Sequence, residues 1–184
     1  MAKQVCVVLA DGFEEIEGLT VVDLLRRAGV EVTTVSITGA YTIHGAHGIA
    51  VQADKLFEEM QYEGQDMFVL PGGMPGTLHL GEHEGLRAVL EKGYNGKKYL
   101  AAICAAPSVL GKYGFLKGRK ATSYPGFEAA LEGAEHVTDA VAVSDNIITS
   151  RGMGTAIAFS LALIEVLLGK EQADKIGESI IYMN

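Results

Sequence analysis

Only two cysteines occur in the chain, Cys6 and Cys104, and they sit in segments that read as separate strands. No disulfide framework is indicated, and a reducing, cytoplasmic setting fits best. Positive charge is also scarce: 15 Lys and Arg face 23 Asp and Glu, for a net charge of −8. That balance counts against nucleic acid or an anionic membrane as the main partner. Long apolar runs are missing as well, so no segment is expected to span a membrane. The N-terminus does not read as a secretory signal, because Val5 to Ala10 is short and Asp11, Glu14, Glu15 and Glu17 follow at once. Repeats, low-complexity tracts and linkers are not visible. The five histidines, His44, His47, His79, His83 and His136, lack metal-ligand spacing, so neither a metal nor another cofactor is expected.

What is present is a soluble globular composition, 48% hydrophobic and 21% charged. A single domain over residues 1–184 is long enough to bury a core without metal or disulfide staples. Gln4 to Ala10 reads as a buried strand closed by Asp11-Gly12, and Glu14 to Ala28 as a helix stopped by Gly29. The apolar residues of that helix wrap most of its circumference, which calls for two covers: the sheet and a second subunit. Val30 to Ile37 reads as a strand, and Gly39 to Asp54 as a turn with a short extra hairpin. Met67 to Leu70 is a buried strand ending in Pro71-Gly72-Gly73, and Glu84 to Tyr94 a helix. Arg119 to Ser123 is a short extended piece, Val141 to Val143 and Ile147 to Ser150 are strands, and Thr155 to Leu168 and Glu171 to Ser179 are helices. Strands alternating with helices imply an α/β sandwich with a largely parallel sheet covered on both faces. Ligands in such folds bind beyond the carboxyl ends of the strands.

The chain is organised around Lys98-Tyr99-Leu100-Ala101-Ala102-Ile103-Cys104-Ala105-Ala106-Pro107. A buried strand turns sharply through Cys104 into a helix that Pro107 opens, the arrangement of a nucleophile elbow. Helix N–H groups beside the sulfur favour a thiolate that ionises near neutral pH. The competing reading is a small core residue, the usual role of a free cysteine, and it is the one assigned to Cys6. Gly72-Gly73 permits a turn that aims N–H groups at the sheet edge, and with the Ala105 N–H it would form an oxyanion hole. An ordinary strand-ending turn explains the glycines equally. Glu14 and Glu15 are accounted for by the helix dipole alone. Glu17, between Ile16 and Gly18, is expected to face inward, to be held protonated by burial, and to share one proton with Cys104. Gly152-Met153-Gly154 has the wrong spacing for a dinucleotide loop.

Five motifs carry a resemblance over nearly the whole chain: Leu9 to Glu17, Val22 to Gly29, Val69 to Gly73, Ala101 to Pro107 and Thr149 to Thr155. In order and spacing they resemble the ThiJ/PfpI family, in its DJ-one-like branch. The resemblance implies a flavodoxin-like three-layer sandwich and a homodimer packed through the first helix, Glu14 to Ala28. It implies that Cys104 is the reactive cysteine, Glu17 its carboxyl partner, and Gly73 and Ala105 the oxyanion donors. Members are described as glutathione-independent glyoxalases, as deglycases acting on methylglyoxal or glyoxal adducts, and as oxidation-sensitive stress proteins or chaperones. The implied partner is therefore a small aldehyde or glycated substrate. Two departures stand out. Tyr124 occupies the place where many relatives carry a histidine, and Ala105 stands where protease-like relatives have one, which argues against peptidase activity. His47 replaces an arginine found in one branch, on the hairpin expected to reach the partner's pocket. Tyr124, His47 and Arg27 are the candidate pocket residues.

Overall fold

The computed structural model describes residues 2–182. In chain order the elements are β1 (Gln4–Leu9), α1 (Glu15–Arg27), β2 (Glu31–Ser36), β3 (Thr42–His44), β4 (Ala50–Gln52), β5 (Lys55–Leu56) and β6 (Met67–Leu70). Then follow α2 (Gly76–Glu82), α3 (Glu84–Asn95), β7 (Tyr99–Ile103), α4 (Pro107–Lys112), β8 (Lys120–Ala121), β9 (Glu135–His136), β10 (Val141–Ser144), β11 (Ile147–Ser150), α5 (Ala156–Leu168) and α6 (Lys170–Ser179). Seven strands form one sheet in the order β10-β11-β7-β6-β1-β2-β5, with only β10 antiparallel to its neighbour.

The alternation of apolar side chains along the central strands explains the three layers. Val5, Val7 and Leu9 point to one face, where Val21 and Leu25 of α1, Phe159 and Leu163 of α5 and Ile176 of α6 cover them. Cys6, Val8 and Leu70 point to the other, under Leu80 of α2, Leu86 and Leu90 of α3 and Leu110 of α4. Strands buried on both faces read as continuous apolar runs, which is how β1, β6 and β7 look in the sequence.

The expected sandwich with a largely parallel sheet is the one observed. The first helix runs one residue shorter at each end than expected, with Glu14 and Ala28 as its caps. The expected hairpin is β3 paired antiparallel with β4. Three features were not legible. Helix α2 holds two glycines and few apolar residues, a composition with weak helix propensity; it forms because Leu80 is fully buried against the sheet. Strands β5 and β9 have two residues each, too few for any periodicity, whereas β8 falls inside the extended piece expected over Arg119 to Ser123.

Connections from β1 and β6 leave the sheet in opposite directions along the strand order, so a crevice opens at the carboxyl ends of these neighbours. The loops after β1, β6 and β7 meet there. The α1–α5 layer holds one wall of that crevice, and Phe159 is its largest fully buried helical side chain. Truncation of Phe159→Ala should cost about 3–5 kcal/mol in denaturant unfolding; a loss under 1 kcal/mol would contradict this account of the core.

Candidate active site

Cys104 follows the last residue of β7 and takes φ +65°, a left-handed conformation that non-glycine residues rarely adopt. Two hydrogen bonds hold that backbone. The Cys104 N–H donates to the Ser150 carbonyl at the end of β11 (3.0 Å), and the Cys104 carbonyl accepts from the Tyr124 N–H (2.8 Å). The sharp elbow puts the thiol at the top of the sheet, partly exposed. The backbone N–H groups of Ala105 and Gly73 lie on its side of the elbow and favour the anionic form of the sulfur.

The loop after β6 packs against this elbow so closely that only glycine fits. A Cβ on Gly72 would sit 2.6 Å from the Cys104 Cβ and 2.6 Å from Glu17 Oε2. Gly73 has φ +91°, and a Cβ there would collide with the Glu14 N–H. Glu17, in the first turns of α1, is 1% exposed and accepts the Gly72 N–H through Oε2 at 2.9 Å. Its other oxygen, Oε1, is buried without a hydrogen-bond partner of ordinary geometry. The adjacent Cys104 thiol is the group able to supply one.

Electrostatics follow from this packing. Burial pushes the Glu17 carboxyl up to about 7, helped by the charge of Glu14 and opposed by the contacts with Cys104 and the Gly72 N–H. Burial, the charge of Glu17 and the hydrogen bond with it push the Cys104 thiol up to about 12, while the Ala105 and Gly73 N–H groups pull it down. The two groups titrate as a pair: one proton leaves near neutrality and the second is retained far above it. An independently acidic thiol, expected from the elbow alone, is thereby corrected. Desolvation and the neighbouring carboxyl outweigh the N–H donors, and α4 has only six residues to add a dipole.

A family model for the DJ-1/PfpI family matches residues 3–166. The chain belongs to the DJ-1/PfpI family. Protein dj-1beta of Drosophila melanogaster is 37% identical over 183 residues, covering 98% of both chains. The solved structure described as Toxoplasma gondii DJ-1, oxidized, superimposes with a TM-score of 0.96 at 40% identity and 100% coverage of each chain. A Caenorhabditis elegans relative named glutathione-independent glyoxalase DJR-1.2 is 30% identical over 164 residues, 89% of this chain and 87% of that one.

On this DJ-1/PfpI scaffold Cys104, Glu17, Gly72, Gly73 and Ala105 converge. Tyr124 borders the same place: its backbone anchors Cys104, and its ring packs 3.3 Å from where a Gly152 Cβ would lie. The Tyr124 side chain is half exposed and offers a phenol at the edge of the site. His47 lies on the β3–β4 loop against Glu15 rather than against the thiol (Nδ1 to Oε2, 3.0 Å). Arg27 is a correction. It pairs with Asp23 at the far end of α1, about 15 Å of helical rise beyond Glu17, and is not part of this protomer's site.

Glu15 is the feature that sequence reasoning missed. It is 3% exposed and accepts the N–H groups of His47 (2.8 Å) and Ile49 (3.4 Å) as well as the His47 ring. Although burial opposes it, these hydrogen bonds hold its carboxyl down at about 2. With Glu14 it forms a charge-paired clasp on His47, and the trio is not assigned as a metal centre. No helix among the described residues is long and apolar enough to cross a membrane.

Between pH 4.5 and about 7 the folded chain keeps the Glu17 proton that the unfolded chain has lost. Stability from this group therefore falls as pH rises through that window. Glu17→Gln abolishes the penalty, so its stability relative to wild type should improve by up to about 3 kcal/mol from pH 5 to pH 8. Denaturant titrations at the two pH values check this; a difference independent of pH would refute it.

Proposed function

We propose that this chain is a cysteine-dependent, glyoxalase- or deglycase-type stress protein acting on methylglyoxal, glyoxal and their early adducts, with no cofactor. The observation that carries the reading is the buried Glu17 carboxyl, held by the Gly72 N–H on one oxygen and left unpartnered on the other, packed across Gly72 from the Cys104 elbow. The glyoxalase name of the 30%-identical Caenorhabditis elegans relative supports it. In the reactive form of the pair the sulfur is anionic and Glu17 carries the proton. The sulfur bonds to the aldehyde carbon, and the carbonyl electron pair moves to oxygen. The Gly73 and Ala105 N–H groups, already aimed at this point, hold that oxyanion until Glu17 protonates it. Carboxylate Glu17 then takes the hydrogen of the same carbon as a proton, giving an enediolate; the hydroxyl proton passes from the first oxygen to the second, and Glu17 returns its proton to the neighbouring carbon as the first carbon–oxygen double bond re-forms. The product is a thioester of a 2-hydroxy acid. Water cleaves it, releasing the acid and restoring the pair; one water is consumed and no external oxidant is needed.

A second reading is an oxidation-sensing stress protein or chaperone without turnover. It is favoured by the oxidized state of the Toxoplasma gondii relative and by the partly exposed thiol beside a carboxyl that keeps its proton near neutrality. A protonated Glu17 donates to a sulfinate oxygen where a carboxylate would repel it. For the assembly we infer a homodimer through α1, since Ile16 and Leu19 on that helix are 49% and 38% exposed beside Ile49 of the hairpin. With two unpaired cysteines, a reducing cytoplasmic location fits.

Lactate formation from methylglyoxal without glutathione tests the enzyme reading. Cys104→Ser should abolish it, and Glu17→Gln should reduce it by about 10²–10⁴-fold. For the wild type kcat/KM should rise with pH through about 7, where the pair loses its first proton. Near-normal turnover in either variant sinks the mechanism; no turnover in any form leaves the sensing role. Sedimentation tests the assembly: the wild type should run as a dimer of 19.5 kDa chains, and Leu19→Glu as a monomer. A monomeric wild type would refute the interface.

A further inference from the structure

His47 lies outside the Cys104–Glu17 pair, yet a buried carboxylate is given over to placing it. Glu15 accepts the His47 N–H and its ring, while the loop around it is fastened by Ala46 N–H to the Phe13 carbonyl (2.8 Å) and Gly12 N–H to the His44 carbonyl (2.7 Å). So fixed, His47 Nδ1 stands 3.6 Å from Glu14 Oε2. Glu14 in turn is locked to the reactive loop. Its N–H donates to the Gly72 carbonyl at 2.8 Å, and the N–H of that same Gly72 donates to Glu17. Glu14 and Glu17 thus flank one peptide, three residues apart on adjoining turns.

We propose that His47, clasped by Glu15, is a positioning residue that screens Glu14 from the Cys104–Glu17 pair and so sets how readily the pair gives up its first proton. The charge arithmetic has a definite sign. Glu14 carboxylate makes a second negative charge nearby costly, which keeps the proton on the pair. Protonated His47 cancels much of that field, because both Glu14 and Glu15 favour its charged form. Among the described residues the charges acting on the pair are each other's and that of Glu14, the Tyr124 phenol borders the Cys104 side, and the groups facing His47 are Glu14 and Glu15. The nearby Asp11 and His44 face one another at 3.9 Å. No cation from another element intervenes in these contacts. This inference deepens the functional reading, since it concerns the same pair, but it rests on the pair as one ionising unit and not on turnover.

The experiment follows the alkylation of Cys104 by iodoacetamide, a neutral reagent, against pH, with peptide mass spectrometry separating it from fully buried Cys6. His47→Gln keeps the backbone N–H to Glu15 and replaces the imidazole by a neutral amide that can still donate to a carboxylate. It should slow alkylation at pH 7 by about two- to five-fold, the scale of one exposed ion pair, and move the profile to higher pH with the plateau unchanged. Glu14→Gln should accelerate alkylation and move the profile to lower pH. Adding His47→Gln to Glu14→Gln should then have no effect. An unchanged profile in His47→Gln overturns the proposal, as does an effect that persists in the Glu14→Gln background or one confined to the plateau. Lactate is not measured in this experiment, so failure of the glyoxalase reading leaves its outcome intact.

Discussion

The Gly72 peptide is the constraint on which the site depends. Its N–H goes to Glu17, its carbonyl takes the Glu14 N–H, and the place of its missing side chain is filled by the Cys104 Cβ. One peptide therefore joins the β6 loop, the start of α1 and the elbow after β7. Any side chain at this position separates the thiol from the carboxyl, and the shared proton goes with it. The sheet order supplies the setting, because β6 lies between β1 and β7 and delivers the three loops side by side.

Glu15 and Glu17 show how burial alone fails to determine ionisation. Both sit at the start of α1 and both are nearly inaccessible. Glu15 receives two N–H groups and an imidazole and stays ionised down to about 2. Glu17 receives a single N–H beside a thiol and holds its proton to about 7. Hydrogen bonds to the charged form are what separate them. The same helix end thus carries a structural carboxylate that holds the hairpin and a reactive carboxyl that serves the sulfur.

The strand–turn–helix rhythm, the apolar runs of β1, β6 and β7 and the glycine stops were all legible in the sequence, since each is a local pattern. Cys104, Glu17 and the paired glycines also stood out, because a thiol on an elbow and an acid among apolar neighbours are unusual in themselves. The elbow's N–H donors and an inward-facing acid are legible along the chain, whereas the extent to which burial desolvates the thiol is not, and it is this that outweighs the donors. Glu15 was passed over for a related reason, since a helix-start acid looks the same whether it faces water or a hairpin thirty residues downstream.

By itself, then, the sequence determined the α/β class, the two-sided burial of the central strands and the identity of the reactive thiol's segment, all properties of neighbours along the chain. Only the tertiary structure decided that Gly72 seats Cys104 against Glu17, that Glu15 grips His47, and that Arg27 lies at the wrong end of its helix. These depend on distances between segments far apart in sequence. Such distances come from how layers pack, and packing is a property of the whole chain.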